Sequence, residues 1–128
     1  MTLNKNVKLF LTIASIMMGL AVAIGAFGAH GLKSLVDESM LKVYQTGVQY
    51  QFYNTLGLFA ASFIIYLKPD SKKIVIASWL ILLGMLIFSF SLYLLVILSM
   101  PVLGAITPIG GTLMIIGWIL LAYGIYKE

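Results

Sequence analysis

Residues 74–99, IVIASWLILLGMLIFSFSLYLLVILS, hold no charged side chain and no proline. A helix rises about 1.5 Å per residue, so about 20 apolar residues cover a hydrocarbon core of roughly 30 Å. This stretch is long enough to cross a bilayer, and three more of the same kind lie at about 8–29, 45–67 and 106–126. Lipid offers a backbone no hydrogen-bond partner, so each crossing stretch is expected to be helical. The expected fold is therefore all-α: an integral membrane four-helix up-down bundle, one four-span domain over residues 1–128.

Composition points the same way, with 62% hydrophobic residues and only 9% charged. Four spans and short connections use nearly the whole chain, which leaves no room for a soluble catalytic or DNA-binding domain. The net charge of +4 comes from eight lysines and no arginine, placed at segment ends rather than in a patch that tracks nucleic acid. With no cysteine there is no disulfide and no thiolate metal site. Lys5 and Lys8 before an apolar run imitate a signal peptide, but the run to Phe27 exceeds an h-region, so it is expected to stay as helix one.

If the spans alternate, Lys5, Lys8, Lys68, Lys72, Lys73 and Lys127 share one side, and Lys33 and Lys42 the other. The positive-inside bias then puts both termini and the 68–73 loop in the cytoplasm of a bacterial inner membrane. Tyr66, Trp79, Tyr123 and Tyr126 fall near that inner interface, where amphipathic rings favour the headgroup level. The first outer connection, about 31–44, mixes Lys33, Asp37, Glu38 and Lys42 with six apolar residues, a spacing that predicts a short amphipathic helix between helices one and two. The second, residues 99–108, is uncharged, and its Pro101 and Pro108 are read as stopping helix three and starting helix four.

Helices in lipid do not attract one another through the hydrophobic effect, so small residues that let backbones approach are the best clue to packing. They recur every seven residues: Ala14, Ala21 and Gly28; Gly47, Asn54 and Ala61; Ala77, Gly84 and Ser91; Gly110, Gly117 and Gly124. A seven-residue seam on each helix predicts left-handed packing at about +20°. A second stripe on helix one, Ala21, Gly25 and Ala29, is a candidate face for a second copy of the chain or another membrane protein.

Polar side chains within spans must find a partner or water. Here they favour the outer half: His30, Gln45, Gln49, Tyr50, Gln51, Asn54, Ser89, Ser91, Tyr93 and Thr107. His30, Gln45, Gln49, Tyr50, Asn54, Ser91, Tyr93 and Thr107 form the candidate cluster, read either as a vestibule for a headgroup, ion or small solute or as a network that fixes helix register. His30 is the one histidine, and with only four carboxylates in the chain no metal site is expected. Gly25-Ala-Phe-Gly-Ala-His-Gly31 is no dinucleotide fingerprint, since no strand precedes it. No nucleophile with a positioned base and no acid pair is present, so a non-enzymatic protein without cofactor is expected.

At these same residues the chain resembles the small four-helix membrane proteins catalogued as domain of unknown function 423, related to transmembrane protein 256. Residues 25–32, GAFGAHGL, 44–51, YQTGVQYQ, 88–93, FSFSLY, and 104–111, GAITPIGG, look like that family's signature segments in order. Asn54 stands where the family usually has histidine and Phe90 where it usually has glycine, so a His30 and second-histidine pair has no basis in this chain. The resemblance implies a four-span bacterial inner-membrane protein with no established biochemical activity. The leading reading is interaction with membrane lipids or membrane-protein partners, with no nucleic acid involved. The alternative is a small channel or transporter subunit for a solute or ion, with a path past Gln49, Asn54 and Tyr93. The orientation is tested by cysteine labelling: Glu38→Cys should react from outside and Lys72→Cys from inside, and the reverse pattern would overturn it.

Overall fold

The computed structural model describes residues 2–127, and among these every regular element is helical. Four long helices follow one another: α1 (Lys5–His30), α2 (Glu38–Leu67), α3 (Lys72–Leu98) and α4 (Thr107–Lys127). Two 3-10 turns, Leu32–Ser34 and Pro101–Ala105, fill the connections at one end.

The helix starts are set by side chains that satisfy otherwise unpaired N–H groups. Val7 N donates to Asn4 Oδ1 at 2.9 Å, Met40 N to Asp37 Oδ1 at 2.8 Å, and Ile74 N to Ser71 Oγ at 3.4 Å. The Met40 N–H, and after it the Ser39 hydroxyl, hold the Asp37 carboxyl below the usual carboxylate range. α3 ends at Ser99, whose φ of 54° is left-handed. That residue turns the chain ahead of Pro101, which cannot continue a helix.

One expectation is corrected by Asp37. No separate amphipathic helix lies between α1 and α2: the connection is a single 3-10 turn, and residues from Glu38 onward form the first turns of α2 itself. Nothing between Glu38 and Gln45 breaks a helix, so once Asp37 caps it the helix runs unbroken to Leu67.

Three stretches, Lys5–Ser34, Lys72–Leu98 and Pro101–Lys127, are long and apolar enough to cross a membrane by length and composition. α2 has the length, with no charge from Val43 to Leu67, but it is less apolar than the others. The reason lies in its interior face. Gln51, Asn54, Thr55 and Ser62 are buried, whereas Leu56, Phe63 and Leu67 on its outer face are each about 60% exposed.

The helices run antiparallel in sequence order, α1 against α2, α2 against α3 and α3 against α4, with no comparable seam joining α4 back to α1. All twelve residues of the seven-residue repeat are buried: Ala14, Ala21 and Gly28; Gly47, Asn54 and Ala61; Ala77, Gly84 and Ser91; Gly110, Gly117 and Gly124. The closest approach is between α3 and α4. A methyl group on Gly84 would fall 2.7 Å from both the Gly110 carbonyl oxygen and the Met114 nitrogen, and one on Gly110 would strike the Phe88 backbone nitrogen. Backbone cannot give way as a flexible side chain can. Away from the repeat, a methyl on Gly19 would meet nothing within 4 Å.

The expected consequence is a sharp contrast between two identical substitutions. Gly110→Ala should destabilise the protein by about 1–3 kcal/mol or more. Gly19→Ala should be neutral or stabilising by up to about 1 kcal/mol. Unfolding in lipid bicelles measures both, and equal tolerance would argue against the glycine seam.

Candidate functional site

The polar side chains divide into an interior set and a surface set. At the core, Tyr93 of α3 donates its hydroxyl to Gln51 Oε1 at 2.6 Å, and Gln51 Nε2 donates to the Met17 carbonyl of α1 at 2.9 Å. One hydrogen-bonded chain thus ties three helices. Beside it Ser89 donates to the Gly47 carbonyl at 2.7 Å and Tyr44 to the Ile24 carbonyl at 2.6 Å. The Tyr44 and Tyr93 rings lie 5.3 Å apart, and a methyl on Gly47 would come within 2.7 Å of the Tyr93 ring. Gly47 is therefore the gap into which Tyr93 fits.

α4 is attached by two further bonds. Trp118 Nε1 donates to Asn54 Oδ1 at 2.9 Å, while Asn54 Nδ2 donates to the Tyr50 carbonyl one turn back at 2.9 Å. The Trp118 ring covers Gly57, where any side chain would collide with it. At the end of α4, the Ser91 and Thr107 hydroxyls are 2.6 Å apart, and Ser91 also donates to the Phe88 carbonyl. Among the described residues, no buried side-chain nitrogen or oxygen lacks a partner. In lipid such interhelical bonds average about 0.6 kcal/mol each, so this set acts as several modest clasps.

Of the eight candidate residues, Asn54, Ser91, Tyr93 and Thr107 belong to these clasps. Tyr50 is 40% exposed and its ring meets Phe88 at a tilt, with ring centres 4.7 Å apart. His30, Gln45 and Gln49 are exposed and stand outside the interior network. Gln45 and Gln49 border a shallow notch over Gly25, Gly28 and Ala29. Along the second stripe of α1, Ala21 is buried, Gly25 half-buried and Ala29 exposed, so the stripe passes from core to surface. Gln49, Asn54 and Tyr93 do not share one lumen: Gln49 faces outward, and the Tyr93 hydroxyl is taken by Gln51.

The candidate cluster left out Gln51 and Ser89, the residues that make the deepest bonds. A signal for Gln51 was available, since it lies four residues after Gly47 and three before Asn54, on the buried face of the same repeat. Trp118 and Tyr44 carried no comparable signal. Both were placed by the notches that Gly57 and Gly28 leave for their rings.

Between α2 and α4, over Phe88 of α3, a groove of about 480 Å³ is lined by Tyr50, Tyr53, Asn54, Phe88, Gly111, Met114, Ile115 and Trp118. Its walls are aromatic and aliphatic, and Asn54 and Trp118, bonded to each other, are part of the lining. No group of three or more His, Cys, Asp or Glu side chains comes together among the described residues.

The family described as Protein of unknown function (DUF423) matches residues 24–111. The chain belongs to this family. It is similar to the UPF0382 membrane protein YwdK of Bacillus subtilis (strain 168), 42% identical over 120 residues that cover 94% of this chain and 98% of the relative. The UPF0382 membrane protein of Haemophilus influenzae is 41% identical over 119 residues, covering 93% and 94% of the two chains. That of Staphylococcus aureus (strain bovine RF122 / ET3-1) is 42% identical over 120 residues, covering 94% and 97%. No solved structure matches the chain significantly. The residues matched to the DUF423 family include Tyr44, Gly47, Gln51, Ser89, Tyr93 and Gly110, the side chains and gaps that build the interior clasps.

Tyr93→Phe and Gln51→Leu should each destabilise the protein, and a double-mutant cycle should return a coupling of about 0.6–1.7 kcal/mol, the range for hydrogen bonds between membrane helices. Strict additivity of the two changes would show that the bond contributes nothing.

Proposed function

We propose that the chain is a non-enzymatic, four-span protein of the bacterial cytoplasmic membrane, with both termini inside, that binds lipid or a membrane-protein partner in the groove between α2 and α4. Its polarity is the inverse of a soluble protein's. Gln51, Thr55, Ser62, Ser78 and Ser89 have no exposure at all, while Ile16, Val22, Phe63, Ile115 and Ile119 are each more than half exposed. Water would reverse that distribution, whereas lipid favours it. The interior polar groups are spent on one another, so the reading moves function from the core to the lipid-facing surface.

The observation that carries the proposal is the groove itself, about 480 Å³ with a ring-lined wall near the middle of α2. Along it the Tyr50 ring meets Tyr53 edge-on at 5.9 Å and Phe88 at a tilt at 4.7 Å between centres. Rigid rings hold a groove open at low conformational cost, which suits binding an apolar chain or a helix face.

Gly111→Leu tests the reading, because a methyl there would meet only the Phe88 ring, at ordinary contact distances of 3.6 and 3.8 Å. The leucine should fill the groove while α3 and α4 stay packed. Lipid or partner co-purifying with the protein, measured by native mass spectrometry, should fall severalfold with little change in thermal unfolding. Retention equal to that of the parent chain would overturn the proposal.

A further inference from the structure

The lysine-rich end carries a second groove that the proposed function does not use. Between α1 and α2, a cleft of about 270 Å³ is lined by Leu3, Val7 and Leu11 on one side and Phe59, Phe63 and Tyr66 on the other. Val7 and Leu11 stack one helical turn apart, with Leu3 just ahead of the helix. Its wall is almost wholly apolar, and it is open to the outside along Leu3 and Phe63, which are 46% and 60% exposed.

Charge gathers where this cleft ends. Lys5 and Lys8 share the first turns of α1 with Val7, and Lys68 follows the last residue of α2, two residues past Tyr66. Lys72 and Lys73 open α3 and Lys127 closes α4. α3 and α4 meet there, since a methyl on Gly124 would lie 3.3 Å from Lys73 Cβ. Among the described residues, Asp70 is the one acid at this end. The helices are antiparallel, so all six lysines lie at one end of the molecule, and charges closer than a Debye length of about 8 Å reinforce one another.

We infer that this cleft seats one anionic phospholipid, its acyl chain along the α1–α2 seam and its phosphate among Lys5, Lys8 and Lys68. The two halves of the site select the occupant together. A soluble anion has no use for the apolar cleft, and a zwitterionic lipid gains little from the lysines. A basic pocket between spans on the cytoplasmic side is a known physical setting for anionic headgroups. Long lysine arms bury their methylene stems along apolar surface while the ammonium reaches the headgroup level. The inference rests on reading the lysine-rich end as the cytoplasmic one, in contact with the inner leaflet.

The test uses the full chain in nanodiscs of palmitoyl-oleoyl phosphatidylglycerol and phosphatidylcholine, with retained lipid read by native mass spectrometry. The parent chain should retain phosphatidylglycerol preferentially. Each lysine contributes about fivefold near a charged surface, so the triple variant Lys5→Gln, Lys8→Gln, Lys68→Gln should lose at least tenfold of that preference. Leu3→Glu changes an exposed side chain at the mouth of the cleft and should weaken phosphatidylglycerol retention even if the triple variant folds poorly. Equal retention of the two lipids by the parent chain, or Leu3→Glu retaining phosphatidylglycerol as the parent does, would overturn the inference. Retention of an acidic protein there instead of lipid would overturn it as well. Cysteine labelling at positions 38 and 72 reports the orientation separately, so failure of the lipid seat is distinguishable from failure of the topology, and Gly111→Leu reports on the other groove alone.

Discussion

Where Gly84 of α3 lies against Gly110 of α4, the two backbones come so close that a single added methyl would sit 2.7 Å from a backbone atom. In lipid, where burying apolar surface gains nothing, this contact lets dispersion forces act at the shortest backbone separation. The rest of the α3–α4 seam follows from it: Gly117 lies over Ala77 and Ile81, and Gly124 over Lys73 and Ile74. α3 then offers its remaining faces to α2 and α1, which is why Ser89 and Tyr93 reach Gly47 and Gln51, and why Trp79 meets Phe10 of α1 edge-on with ring centres 5.1 Å apart.

Small residues thus set the distances, and hydrogen bonds set the register. A helix of Gly, Ala, Leu and Ile slides along its neighbour with little change in contact. The chain from Tyr93 through Gln51 to Met17 permits one alignment of α1, α2 and α3, because each donor is fixed to a particular acceptor. Trp118 does the same for α4, its indole N–H aimed at Asn54 and its ring resting over Gly57. Buried polar groups used in this way contribute more to the uniqueness of the packing than to its total stability.

Much of this was legible in the sequence because it depends on periodicity. The seven-residue spacing of small residues is a property of the backbone surface, and all twelve of its members are buried. The end of α3 was legible because Pro101 acts within one turn of itself, while the starts set by Asn4, Asp37 and Ser71 emerged only with their cap bonds. Direction around a helix was harder to read. Gln49 and Gln51 are two residues apart, hence about 200° apart around the axis, so one faces out while the other sits in the core. Counting polar residues in a span merges the two, whereas phasing them to Gly47 separates them. The amphipathic pattern after Gly31 was real, but half of it belongs to α2, because the Asp37 cap acts ahead of it.

The open edge between α1 and α4 has a consequence for biogenesis. From α2 onward each helix packs on the one before it in the chain, and α4 is not required to reach back to α1. Contacts between sequence neighbours form with little loop-closure entropy. As the ribosome delivers spans to the insertion machinery one at a time, every newcomer finds its docking surface already waiting beside it. The tightest joint, α3 on α4, closes after the three helices before it are in place.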